Sequence, residues 1–297
     1  MRETTLHKEF LNVREKTHVS QRKRHFFGLT ELFIGAAGLV ILFIIICALF
    51  PQLIAPYSPT AMAQDAILQS PSLTHLFGTD QFGRDVFSLV VYGSRDSLFI
   101  GVLSVIVGGL AGGGIGALSG YLGGRVDGVL MRLIEILMTI PGILLALAIA
   151  ASLGPSLLNI VLAIAISSIP GYARVMRGQV MSIKGRSFIS ASHSIGVPKW
   201  RIFTSHVLPN SLSPMLVMST LGIGSAILAG SGLSFLGLGV LNEIPDWGAL
   251  LSQGRGFLTV AWWICTFPGL AITLFVLSVN IIGDWLRDYL DPKKQRA

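Results

Sequence analysis

Ser190-Ala-Ser-His-Ser-Ile-Gly-Val-Pro-Lys-Trp-Arg-Ile-Phe-Thr-Ser-His-Val-Leu-Pro209 decides how this chain is read. It closes a segment, Ala173 to Leu208, that carries six Lys/Arg residues (Arg174, Arg177, Lys184, Arg186, Lys199, Arg201) and no acid. The sequence on either side is apolar enough to sit in lipid, which makes this the one large, basic, water-facing connection. Phe188, Ala191 and Ile195 fall at helical spacing on one face, and Trp200, Phe203 and Val207 on another. Gly196 followed by Pro198 is a stop-and-turn signal between two short helices. Helices this short are marginal alone in water, so the pair is expected to hold its shape by docking on something.

Composition places the rest. Hydrophobic residues make up 52% of the 297, charged residues 12%, and the mean hydropathy is +0.70. Soluble domains average about 25% charged residues, so this is a polytopic membrane chain. Cys47 and Cys265 both fall in apolar segments, which excludes a disulfide framework. The net charge of +7 follows membrane sidedness, as shown next, and no nucleic-acid partner is expected.

Apolar stretches of about 20 residues mark membrane spans. They fall at Leu32–Phe50, Leu98–Leu118, Leu133–Ser152, Leu157–Ala173, Leu212–Gly230 and Ile264–Gly283. The first is longer than the core of a signal peptide and is expected to be retained. With the N-terminus in the cytoplasm, 19 of the 22 Lys/Arg lie inside and only Arg84, Arg95 and Arg255 outside. The positive-inside rule therefore puts both termini in the cytoplasm. The expected organisation is an all-α integral membrane protein with six transmembrane helices. It comprises a cytoplasmic segment (1–31), a first transmembrane helix (32–50) and an external loop (51–97). A five-helix core (98–283) holds the cytoplasmic loop (174–208), and a cytoplasmic tail (284–297) follows.

The second span carries Ser104, Gly108, Gly112, Gly116 and Gly120 on one face. Such a row lets another helix backbone approach closely, within the subunit or against a sister subunit. Arg132 and Glu135 read as an interfacial ion pair. Pro141-Gly142 and Pro268-Gly269 are expected to kink or interrupt their helices. Asp80, Arg84, Asp85, Arg95 and Asp96 read first as a set that fixes the external loop, and second as a contact for an external protein. His75, His193 and His206 have no metal-ligand spacing, and no catalytic, metal or cofactor site is expected. Asn159, Ser167, Ser168, Asn210, Thr220, Thr273 and Asn280 either line a pathway or bond helix backbone. No span carries an ionisable residue at its centre, unlike an ion-coupled carrier or channel. Energy is then expected to arrive through the basic loop.

That loop resembles the EAA loop of permease subunits in ATP-binding-cassette (ABC) importers. The family pattern is Glu-Ala-Ala, three residues, Gly, nine residues, Ile-x-Leu-Pro, and Ala191, Gly196, Leu208 and Pro209 fall on it with the spacing intact. Ser190, Ser192 and His206 depart from it, so any contact of the family's Glu does not carry over to Ser190. Phe77–Ser88, Tyr121-Leu-Gly-Gly124 with Met131-Arg132, Leu233–Gly239 with Pro245-Asp-Trp-Gly248, and Gly283–Pro292 resemble, in order, segments of the C-type permease of dipeptide, oligopeptide and nickel importers. The resemblance implies a type I, binding-protein-dependent importer core in the cytoplasmic (inner) membrane of a bacterium. It implies a heterodimer with a B-type sister permease, two ABC ATPase subunits and an external solute-binding protein, with membrane lipid around them. Small peptides are the implied cargo, with nickel or another metal chelate or metallophore as the alternative. Docking on the ATPases would involve Ala191, Gly196, Pro198, Trp200, Phe203, Val207, Leu208 and Pro209. No G-x-x-x-x-G-K-S/T loop occurs in the sequence, in keeping with a transport subunit whose nucleotide sites lie on its partners.

Overall fold

The computed structural model describes residues 28, 30–240 and 243–290, so the basic N-terminal segment, Asn242 and the end of the tail lie outside the described residues. The chain is built from helices α1 (Thr30–Leu49), α2 (Pro51–Ile54), α3 (Val86–Leu122), α4 (Gly124–Met138), α5 (Gly142–Leu153), α6 (Leu157–Lys184), α7 (Ser187–Ser194), α8 (Lys199–Ile202), α9 (Leu208–Leu233), α10 (Trp247–Gly254) and α11 (Trp263–Leu290). Among the described residues five helices are long and apolar enough to cross a membrane, α9 counting together with α8 and the π turns on either side as Lys199–Leu238, and α4 with α5 makes a sixth if the bent pair is one span.

The small-residue face of α3 lies against α6. Ser104 Oγ donates to the Val161 carbonyl at 3.3 Å. A Cβ on Gly108 would come within 2.9 Å of the Ala165 carbonyl oxygen, on Gly112 within 2.5 Å of that of Ile169, and on Gly120 within 2.9 Å of that of Arg177. On Gly116 it would overlap the Ala173 carbonyl. Backbone thus meets backbone for four turns, the way small residues let helices associate in lipid. α9 joins this pair to form one buried cluster, while α1, α10, α11 and the start of α3 form a second around Ile44, Leu89, Trp247, Trp263 and Phe275.

The ends of the bundle follow from contacts. The start of α1 (Thr30, Phe33, Ile34) and the end of α11 (Ile281, Asp284, Trp285) line one groove, so the described chain enters and leaves at the same end. At the opposite end the first turns of α3 are tied to α10 and the segment before α3 to the start of α11. Trp247 Nε1 donates to the Val90 carbonyl at 2.9 Å and Trp263 Nε1 to that of Thr79 at 3.0 Å.

Several sequence expectations change in detail. The third span is not one helix: α4 and α5 meet at 86° across Thr139-Ile140-Pro141. Pro141 has no N–H to continue the ladder, and its φ of −53° with ψ of 129° turns the chain out of the helix. α11, by contrast, runs unbroken through Pro268. α6 does not stop at Ala173 but continues to Lys184, because Arg174 and Arg177 are good helix formers and a charge does not end a helix. The stretch between α6 and α9 is therefore Gly185–Val207, inside the expected loop 174–208, whose first part is helical. α3 likewise begins at Val86, twelve residues before the expected span start at Leu98, so the end of the segment 51–97 is helical.

Candidate coupling loop and pathway groove

The loop is shaped by its own residues. α7 ends where Gly196 takes φ of +81°, a conformation that a side chain would strain, and where the Gly196 and Val197 N–H groups donate to the His193 and Ser192 carbonyls. Pro198 then caps α8, whose last turn opens into a π turn, Phe203–Val207, leading straight into α9 with Pro209 in its first turn. Pro209 has no N–H to give, and the wide turn just before it, in which the Leu208 N–H donates to the Phe203 carbonyl, carries the chain into α9 without a break.

Trp200, Phe203 and Val207 do not present one face. Phe203 is 6% exposed and Val207 is fully buried, both packed with Ile189, Ile202 and α6 in the main core. Trp200 is 71% exposed and Ile195 80%. The sequence expectation that Phe203 and Val207 reach a partner is corrected: they fasten the loop to its own subunit, and Leu208 is half-buried beside them. The exposed apolar residues of the loop are Phe188, Ala191, Ile195, Pro198 and Trp200, and Arg186, Lys199 and Arg201 on the same short segment are exposed as well. The loop thus offers apolar and cationic side chains together. The Arg177 side chain is bound elsewhere, donating to both Asp127 oxygens at 2.5 and 2.6 Å, with Ser119 Oγ on the same carboxylate.

A groove of about 430 Å³ opens between α3, α6 and α9, lined by Ser104, Ser167, Ser168, Tyr172, Met218 and Ser225 among apolar neighbours. Of the seven polar candidates only Ser167 and Ser168 line it, and both donate to carbonyls one turn back, Ile164 and Ala165. Asn159 closes the α5–α6 turn through the Leu153 and Gly154 carbonyls. Asn210, Thr220 and Thr273 donate to carbonyls four residues back, and Asn280 sits beside Gly224.

Of the five charges expected to fix the segment before the second span, Asp80, Arg84 and Asp85 form a buried lock, while Arg95, which is exposed, and Asp96 lie in α3. Asp80 accepts from the Phe82 and Arg84 N–H groups and from Arg84 Nε at 2.7 Å; Arg84 also donates to the Glu243 carbonyl and Gln253. Asp85 caps α3 through the Ser88 N–H and hydroxyl, and its other oxygen meets His75 Nδ1 at 3.0 Å. Asp246 caps α10 through the Gly248 and Ala249 N–H groups. Burial pushes the Asp246 carboxyl above its ordinary range, against those hydrogen bonds. The structural roles of Trp247 and Trp263 were missed, although the Pro245-Asp-Trp-Gly248 stretch pointed to the first. Arg132 and Glu135 form an exposed pair at 3.5 Å. Among the described residues no group of three or more His, Cys, Asp or Glu is arranged as for a metal ion.

Comparison with known proteins places these features. Residues 112–296 match the family model for the binding-protein-dependent transport system inner membrane component. The chain is 44% identical over 279 residues to the dipeptide transport system permease protein DppC of Alkalihalophilus pseudofirmus, covering 93% of this chain and 91% of that one. It is 42% identical to the probable D,D-dipeptide transport system permease protein DdpC of Escherichia coli K12 over 86% of both chains. It is also 42% identical to the glutathione transport system permease protein GsiD of Pectobacterium atrosepticum, over 87% and 86%. Among solved structures, an amino acid ABC transporter superposes with a TM-score of 0.54 over 69% of this chain and 95% of that one, at 16% identity. That likeness speaks for the fold alone.

Proposed function

The chain belongs to the family of inner membrane components of binding-protein-dependent transport systems, and from that premise we propose that it is the C-type permease of an ATP-driven importer of small peptides. It pairs with a B-type sister permease, receives its cargo from an external binding protein, and docks one ATPase of a pair through Gly185–Val207. Both termini face the cytoplasm. Nucleotide is bound and hydrolysed on the ATPases. Peptide cargo is favoured over nickel or a metallophore by the relatives, whose names specify dipeptides, di/tripeptides and glutathione.

The observation that carries the docking reading is the exposed apolar centre of the loop, Ile195 and Trp200, on a base held by buried Ile189, Ile202, Phe203 and Val207. A rigid knob with an apolar tip suits a groove on a partner. Gly196 holds the angle between α7 and α8.

The test is reconstitution of the permease pair with its ATPases and binding protein in liposomes. Uptake of a labelled dipeptide that depends on ATP supports the reading. Uptake without ATP, or of a metal chelate in preference to a dipeptide, would overturn it in its mechanism or its cargo respectively.

A further inference from the structure

One residue at the end of α3 is bonded to both the loop and the end of α6. Tyr121 occupies the penultimate position of that helix. Its hydroxyl donates to the Lys199 carbonyl, in the first turn of α8, at 2.5 Å. The same carbonyl accepts the Phe203 N–H, so both of its lone pairs are used. The Tyr121 carbonyl, one of the orphan acceptors at a helix end, accepts from Lys184 Nζ at 2.6 Å, at the last residue of α6, and the ammonium also lies 5.5 Å from the Tyr121 ring centre. The ring itself packs on Phe203, 4.7 Å between centres, at the start of the turn into α9.

Resting on the docking role of the loop, we propose that Tyr121 is a positioning residue that passes movement of the docking helix into α3. The chain of contacts is short and stiff. A load on Trp200 or Ile195 reaches Lys199 within one turn of α8, and a hydrogen bond carries it to Tyr121. From there it enters a helix whose backbone lies directly on that of α6 along Gly108, Gly112, Gly116 and Gly120. Close packing of this kind leaves no slack in which a displacement could be absorbed. α3 and α6 line the groove with α9, so the load ends at its walls. Without the hydroxyl, the loop keeps its buried anchors and its outer face, but its first turn is no longer tied to α3.

The experiment uses the full complex in liposomes with binding protein and a labelled dipeptide, and records ATP hydrolysed and peptide accumulated in the same vesicles. Tyr121→Phe keeps the ring on Phe203 and removes only the hydroxyl. One neutral hydrogen bond corresponds to roughly a two- to tenfold change in an equilibrium, so peptide moved per ATP is expected to fall about that much while hydrolysis persists. Lys184→Met, which removes the α6 tie to the same residue, is expected to lower the ratio in the same sense. Trp200→Ala is the companion that tests docking itself, with loss of the ATPases from the complex expected. If Trp200→Ala loses the ATPases but Tyr121→Phe keeps a wild-type ratio, the strut is overturned and docking stands. If Tyr121→Phe itself loses the ATPases, Tyr121 shapes the loop rather than transmitting through it, and the strut is again overturned. If Trp200→Ala keeps both ATPases and transport, the docking reading fails first.

Discussion

At the scale of single residues, burial decides which side chains hold the fold and which remain for partners. Arg84 is 5% exposed and answers Asp80, which is 1% exposed. Removing one member of a buried pair leaves an uncompensated charge, at a cost of about 3–5 kcal/mol. Arg84→Ala is therefore expected to lower the yield and melting temperature of the detergent-solubilised permease, not merely its affinity for a binding protein. Asp246 behaves differently, because its carboxylate carries both a helix cap and a burial cost. Asp246→Ala loses the cap, about 1 kcal/mol, whereas Asp246→Asn keeps an acceptor and sheds the charge. The folded carboxyl holds its proton to higher pH than the unfolded one. Its contribution to stability is thus fully present below the unfolded value and is lost as pH rises through the raised folded value. Melting curves taken from acid to neutral pH should show wild type losing ground to Asp246→Asn across that rise. A constant difference would assign Asp246 to capping alone.

At the scale of elements, periodicity told more than partnership. The small-residue row named the packing face of α3, and Gly196 with Pro198 named the break between α7 and α8, because both signals are local. The burial of Phe203 and Val207 was not legible: their spacing matches a docking face equally well, and only the fold-back of the loop onto α6 separates the roles. The same holds for the 86° turn at Pro141. A proline can kink or end a helix, and which it does depends on what the next segment packs against. Two pairs of substitutions check these assignments. Gly116→Leu would drive α3 off the Ala173 carbonyl, and overpacking of this kind costs about 1–3 kcal/mol. Gly114→Ala, with nothing within 4 Å of its added Cβ, should leave the melting temperature unchanged or slightly raised. In the loop, Phe203→Ala should cost about 3–5 kcal/mol as a buried aromatic and destabilise the isolated permease. Trp200→Ala should leave that stability alone while weakening ATPase association. Equal effects of the two on the isolated protein would contradict the division between anchor and contact.

At the scale of the whole molecule, charge distribution and helix contacts agree on which segments share an end of the bundle. Lys and Arg gather at one end of the sequence plan, and the contacts place the start of α1 beside the end of α11 while the Arg84 lock sits with α10 at the far end. The loop belongs to the first of these ends, since Tyr121 closes α3 there and bonds to Lys199. A permease oriented for import must show that end to the cytoplasm, where ATP is made, and the lock to the outside, where a binding protein delivers. Two reporter cysteines decide it, placed in a background lacking Cys47 and Cys265: Leu73→Cys, at a side chain 99% exposed beside the lock, and Ile195→Cys on the loop. With a membrane-impermeant maleimide, Leu73→Cys should label in right-side-out vesicles and Ile195→Cys only in inverted ones. Adding the ATPases to inverted vesicles should then protect Ile195→Cys, because its position lies at the centre of the proposed contact. The opposite sidedness would reverse the orientation. Unchanged labelling of Ile195→Cys with the ATPases bound would move their contact off the tip of the loop and onto other parts of the same end.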